Sequence, residues 1–259
     1  MTTPLTRKEK SLVEALMTRN GRRRSGCCRC EGVRAVRELL DNFPELVEFT
    51  VATERGVAAL PGAMPENLRL LPEREFEAIA GTVNSQGVMA IARIPESASG
   101  AVQGEFILVL DQLGDPGNFG TIARTLLAVG GREMWYTKGS IDPWGDKAIR
   151  AGMGAQFALR LRRFETLDEL TAAAVKAGFA NIFVTDPHGG ESCFECGELF
   201  DKSLIIIGGE PNGVMGDCGT ARHVTIPMPG DYESINAAQA ATVILFESVR
   251  RRCSGVNKR

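Results

Sequence analysis

Residues 106–131 read FILVLDQLGDPGNFGTIARTLLAVGG, and the class of fold is legible in this stretch. Phe106–Leu110 is a continuous apolar run, the pattern of a strand buried on both faces of a parallel sheet. Pro116 and Gly117 force a turn. The spacing then predicts a helix over Phe119–Val129, with Asn118 as its N-cap. Arg124 lies about one and a half turns beyond that cap, so it can point back to the turn. Open α/β sheets bind ligands where a strand end feeds such a turn. Taken alone, an ordinary turn with a surface arginine explains the stretch equally well.

Strands and helices alternate through the second half. Strands are expected at Glu133–Thr137, Ala180–Thr185, Leu204–Ile207 and Val224–Met228, and helices near Asp146–Ala151, at Leu167–Ala177 and at Ser234–Arg251. That alternation predicts a mostly parallel sheet with helices on both faces. The first half reads as a smaller α/β module, with strands at Cys27–Cys30, Leu46–Ala52 and Val88–Ile94 and a helix at Val33–Phe43. Pro95–Gly104 (PESASGAVQG) has linker composition. The expected division is therefore an N-terminal domain over 1–95, a linker over 96–104 and a larger domain over 105–259.

Composition narrows the classes. The chain has 259 residues, 44% of them hydrophobic, enough for a real core. No apolar run approaches a membrane span, and MTTPLTRKEK lacks the apolar core of a secretory signal, so a cytoplasmic protein that does not enter membranes is expected. The net charge of −2 excludes a uniformly basic nucleic-acid binder. Residues 1–37 nevertheless carry ten Lys/Arg against three Asp/Glu. Arg19, Arg22, Arg23 and Arg24 form a tight basic cluster, which is either an RNA-backbone contact or a solvated arm.

Seven cysteines include two Cys-x-x-Cys spacings, Cys27 with Cys30 and Cys193 with Cys196. The pairs lie far apart in sequence and the first falls in a strand, so small buried residues and loop thiols are expected and no metal. Trp135 and Trp144 are read as packing residues, and His188 and His223 as solvent-facing or structural.

Three polar turns follow apolar strands in the second half: Asp115–Gly120, Gly208–Gly213, and Pro229–Asn236. In a parallel sheet the C-terminal strand ends share one edge, so these turns can converge there. Together they resemble the three motifs of the SpoU (TrmH-like) RNA 2′-O-ribose methyltransferases of the SPOUT superfamily. Asn118, Gly120 and Arg124 match the first motif; Gly208, Glu210 and Gly213 the second; Pro227, Met228, Ser234, Ile235 and Asn236 the third. Order and spacing agree over residues 106–247, and Gly152–Ala155 also fits. Ile235 stands for the usual Leu, and Ala237-Ala238 for the usual Val-Ser, which removes one hydroxyl.

The resemblance implies a deep trefoil knot and a small ribosomal-protein-like substrate-binding domain ahead of it. It implies S-adenosylmethionine as cofactor, held by Gly208, Gly209, Glu210, Gly213, Ile226, Pro227, Met228, Ser234, Ile235 and Asn236. Asn118, Arg124, Glu210, Ser234 and Asn236 would be the catalytic set, with Arg124 also meeting RNA. The implied reaction is methylation of a ribose 2′-hydroxyl of structured RNA, ribosomal RNA ahead of transfer RNA, by a homodimer. A non-catalytic RNA-binding protein that retains the fold and a small-molecule α/β enzyme with an unrelated ligand are the other readings.

Overall fold

The chain forms two compact units, which are described separately. The structure is a computed structural model and describes residues 4–62, 65–209, 221–231 and 233–255. One unit holds residues up to Glu96 together with Asp142–Phe157; the other holds Ser97–Ile141 and residues from Ala158 onward.

The first unit has a four-stranded sheet. Its strands are β1 (Cys27–Glu31), β2 (Val47–Ala52), β3 (Leu68–Leu70) and β4 (Val88–Arg93), in the order β1-β4-β2-β3. β4 runs antiparallel to both β1 and β2, and β2 runs parallel to β3. Successive side chains on a strand face opposite ways. Val88, Ala90 and Ala92 accordingly join one apolar cluster with Val36 and Leu39 of the helix Val33–Asn42. Met89 and Ile91 join the other, with Val13, Phe76 and Ile79.

Asp142–Phe157 follows the second unit's strands in sequence yet packs with the first unit. Arg22 donates to Asp142 Oδ2 from Nε (3.0 Å) and Nη2 (2.6 Å). Arg29, wholly buried, pairs with Asp146. Ile149 and Phe157 enter the Val36 cluster, and Trp144 packs on Phe157. A linear division at 96–104 misses this excursion, because the partners are about 120 residues apart.

The second unit is built on β5 (Phe106–Asp111), buried along its whole length. The other strands are β6 (Glu133–Thr137), β7 (Arg160–Phe164), β8 (Asn181–Thr185), β9 (Glu191–Ser192), β10 (Ser203–Gly208) and β11 (Arg222–Thr225). Their order is β7-β6-β5-β10-β8-β11-β9, and every pairing is parallel. Ile107 and Val109 face a cluster that includes Leu167, Leu170 and Ala174 of the helix Leu167–Lys176. Leu108 and Leu110, fully buried, face the other way. Each such side chain stabilises the fold by about 1.5–3 kcal/mol relative to exposure. The helix Ala237–Ser254 packs on β10 and on the helix Pro116–Ala128.

β7 has no apolar run, only RLRRF, and was not expected as a strand. Its arginines are held by Glu133, which is fully buried: Arg160 Nε donates to Oε1 at 2.6 Å and Trp135 Nε1 to Oε2 at 3.0 Å. The same arginines grip the segment of linker composition. Arg160 donates to the carbonyls of Ser99 and Ala101, Arg162 to that of Gly100, and Glu133 accepts from the N–H of Gln103. Residues 97–103 thus run as a strap bound to the second unit.

Candidate active site

The turn after β5 leads into the helix Pro116–Ala128, and Asp115, not Asn118, caps it. Asp115 Oδ1 accepts from the N–H of Asn118 at 2.6 Å. Pro116 decides between the two: proline suits the first helical position, which puts the cap one residue before it. Asn118 therefore sits inside the first turn with its side chain released from capping.

That side chain meets the third motif. Asn236 caps the helix Ala237–Ser254, its Oδ1 accepting from the N–H groups of Ala238 (2.9 Å) and Gln239 (3.4 Å). Its Nδ2 donates to Asn118 Oδ1 at 2.9 Å. The two asparagines are 118 residues apart in sequence. Arg124 lies further along the first helix, exposed and without a hydrogen-bond or ion-pair partner among the described residues.

The second turn reaches the first through backbone. The N–H of Gly209 donates to the carbonyl of Asp111 at 2.8 Å. A Cβ at position 209 would lie 2.2 Å from the Gln112 carbonyl oxygen, so only glycine allows this approach. Gln112 itself has φ 53°, a left-handed backbone uncommon outside glycine. It is tied down by Thr137, whose Oγ1 accepts from the Gln112 N–H (3.2 Å) and donates to the buried Asp111 carboxylate (2.6 Å). Glu210 and Gly213 lie outside the described residues.

Beside these turns is an open cavity of about 400 Å³. Gly208, Gly209, Ile226, Met228, Ser234 and Ile235 line it; of the other residues expected to hold a ligand, Pro227 and Asn236 do not. Ile207, Val224 and Ile244 add apolar wall. A fourth turn, Thr185–His188 after β8, completes it. Asp186-Pro187 ahead of Gly189-Gly190 is a turn signal at a strand end, but the turn belongs to none of the three motifs. Asp186 accepts from the N–H of His188 (2.8 Å) and from His223 Nδ1 (2.8 Å). The His188 N–H, and secondarily His223, hold its carboxyl below the usual carboxylate range against some burial.

The remaining candidates lie elsewhere. Arg19, Arg23 and Arg24 are exposed on a helix, Arg19–Ser25, that begins at the Thr18 cap and ends at Gly26. Arg22 is only 7% exposed and is occupied by Asp142 and the Leu16 carbonyl (2.8 Å). Cys27 and Cys30 belong to clusters on opposite faces of the first sheet, and Cys193 and Cys196 are buried in the second unit. Burial pushes the Cys30 thiol up to about 12 and Cys193 to about 11. Among the described residues no cluster of His, Cys, Asp and Glu could hold a metal ion, and no helix is long and apolar enough to cross a membrane.

The model of the SpoU rRNA Methylase family matches residues 105–246, the span that carries all of these turns. The chain belongs to this family. It is similar to an uncharacterised tRNA/rRNA methyltransferase of Synechocystis, 30% identical over 177 residues, 67% of this chain and 64% of that one. It is similar also to the 23S rRNA (uridine(2479)-2′-O)-methyltransferase of Streptomyces viridochromogenes, 35% identical over 161 residues, 60% of this chain and 56% of that one. The matched regions thus take in less than two thirds of either relative. Among solved structures, the SpoU methyltransferase AviRb of Streptomyces viridochromogenes in complex with AdoMet matches with TM-score 0.78 and 26% identity, over 96% of this chain and 100% of that one.

Proposed function

We propose that this SpoU-family chain transfers a methyl group from S-adenosylmethionine to a ribose 2′-hydroxyl of ribosomal RNA. The observation that carries the reading is the Asn236–Asn118 hydrogen bond, which joins the first and third motifs beside a cavity, with Arg124 on the same helix without a partner among the described residues. The Streptomyces relative is named for this chemistry on 23S rRNA.

The cavity suits the cofactor. Its volume is within the range of small-molecule sites. Ile207, Val224, Ile226 and Ile244 offer an apolar wall to a purine, and the backbone at Gly208–Gly209 offers polar groups with no side chain in the way. Ser234 and Ile235 would close the site from the third motif, and Glu210 and Gly213 would complete it from the second. Bound there, the cofactor supplies an electrophilic methyl group on a sulfonium.

The protein's part is to place the ribose and handle charge. Arg124 binds a phosphate oxygen of the target nucleotide and stabilises negative charge as it develops on the 2′-oxygen. A guanidinium keeps its proton in water, so it serves as anchor rather than base. Asn118 and Asn236 hold the two helix starts in register, which fixes Arg124 relative to the cavity. Arg19, Arg23 and Arg24 give the first unit a basic helix for RNA backbone.

The same reading includes a trefoil knot near the C-terminus, a cytoplasmic site of action and a homodimer. Membership of the SpoU family supports the first, and Phe246, half-exposed on the last helix, the third. The test is incubation of the protein with labelled cofactor and either purified ribosomal RNA or transfer RNA. Label in ribosomal RNA alone supports the proposal; label in transfer RNA alone overturns its substrate, and label in neither overturns the activity.

A further inference from the structure

The cavity wall has an uneven charge. Its described lining residues include two carboxylates, Asp186 and Glu233, and no lysine or arginine. Asp186 is shared between the His188 N–H and His223. Glu233 is different: it is exposed and makes no hydrogen bond or ion pair among the described residues. It is adjacent to Ser234 and three residues before Asn236, so its backbone is anchored by the capped helix start that follows. Unlike Asp115, Asn118 and Asn236, Glu233 has no structural task among the described residues.

A carboxylate without a partner on a cavity wall favours a ligand with an extra positive charge. The two forms of the cofactor differ in that respect. Before transfer the sulfur is a cationic sulfonium; after transfer it is a neutral thioether, and the remainder of the molecule is unchanged. We infer that Glu233 is a specificity-determining residue that makes the cavity prefer the sulfonium cofactor to its demethylated product. This inference rests on the methyltransferase reading of the cavity. Uniform contacts to adenine, ribose and the amino-acid tail hold both forms alike; the Glu233 field acts on the charge alone. Its consequence is release of product and reloading from a mixed pool, which is a gain in turnover without any contact to RNA.

Calorimetric titration of the full chain tests this with three probes: S-adenosylmethionine, S-adenosylhomocysteine, and sinefungin, which carries an amine in place of the sulfonium. Glu233→Gln keeps the size of the side chain and removes its charge. Solvent screens an exposed carboxylate, so the expected loss is about fivefold for the two cationic ligands. The neutral product should bind the variant as it binds the wild type. The ratio of the two affinities, not either one alone, is the readout, and a misfolded variant would lose all three together. In a variant whose thermal unfolding matches that of the wild type, equal losses for all three ligands, or no change for any, would overturn the assignment. Wild-type protein that binds none of the three would instead remove the cofactor reading on which it rests.

Discussion

Asn236 donates from Nδ2 to Oδ1 of Asn118 at 2.9 Å, while its own Oδ1 caps the helix that follows. One amide thus performs two tasks that its two ends can separate. Asn236→Asp keeps an oxygen for the cap and loses the donor; Asn236→Ala loses both. Thermal unfolding should show a loss of about 1 kcal/mol for the alanine variant and little for the aspartate. Methyl transfer should fall at least about tenfold in both, because the register between the helices is lost in both. A fully active Asn236→Asp would show that the Asn118 link is dispensable.

Arg124 presents the opposite case, a side chain with no structural work among the described residues. Arg124→Ala should leave chemical denaturation within about 0.5 kcal/mol of wild type. Single-turnover methyl transfer should drop roughly 10²- to 10³-fold, the usual cost of removing a charge-stabilising donor. Loss of stability together with activity would place Arg124 in the fold instead.

How much of this was legible follows from where the interactions lie. β5, its turn and the next helix were readable because their signals are local: an apolar run, Pro116 and Gly117, then helical spacing. The convergence of the motifs on one sheet edge followed from parallel topology. The helix cap went to Asp115 because two candidate caps flank a proline and only backbone geometry chooses between them. β7 was missed because Arg160 and Arg162 lie against an acid on another strand, which no window of sequence contains. The excursion 142–157 was missed for the same reason, its ion pairs joining it to Arg22 and Arg29. Asp186 escaped notice because its turn matched none of the three motifs.

Glu133 should be the most sensitive polar residue of the second unit. It is fully buried and accepts from Arg160, Trp135 and the Gln103 N–H. Glu133→Ala leaves these donors facing one another without an acceptor. Denaturant unfolding should register a loss of about 3–5 kcal/mol. Limited proteolysis should cut residues 97–103 faster, since the strap loses its hold. A loss under about 1 kcal/mol would show that solvent replaces the carboxylate.

Glu247 predicts a pH dependence. It accepts from Arg250 Nε and Arg251 Nε, each at 2.7 Å. The Arg250 hydrogen bond, joined by Arg251, holds its carboxyl below the ordinary 4.5 despite burial. The folded value is the lower one, so this stabilisation is present above the unfolded value and is lost as pH falls through the folded one. Unfolding midpoints should therefore decline below about pH 4.5 in the wild type. Glu247→Gln should be less stable at neutral pH and lose less on acidification. Parallel curves for the two proteins would contradict this.

The most direct test of the account asks where on the RNA the methyl group resides. Ribosomal RNA labelled by the protein from methyl-labelled S-adenosylmethionine would be digested with alkali, which cleaves only next to a free 2′-hydroxyl. The label should reside in alkali-resistant dinucleotides and be strongly reduced with Arg124→Ala. Label released entirely with single nucleotides would mean methylation of a base, and would contradict it.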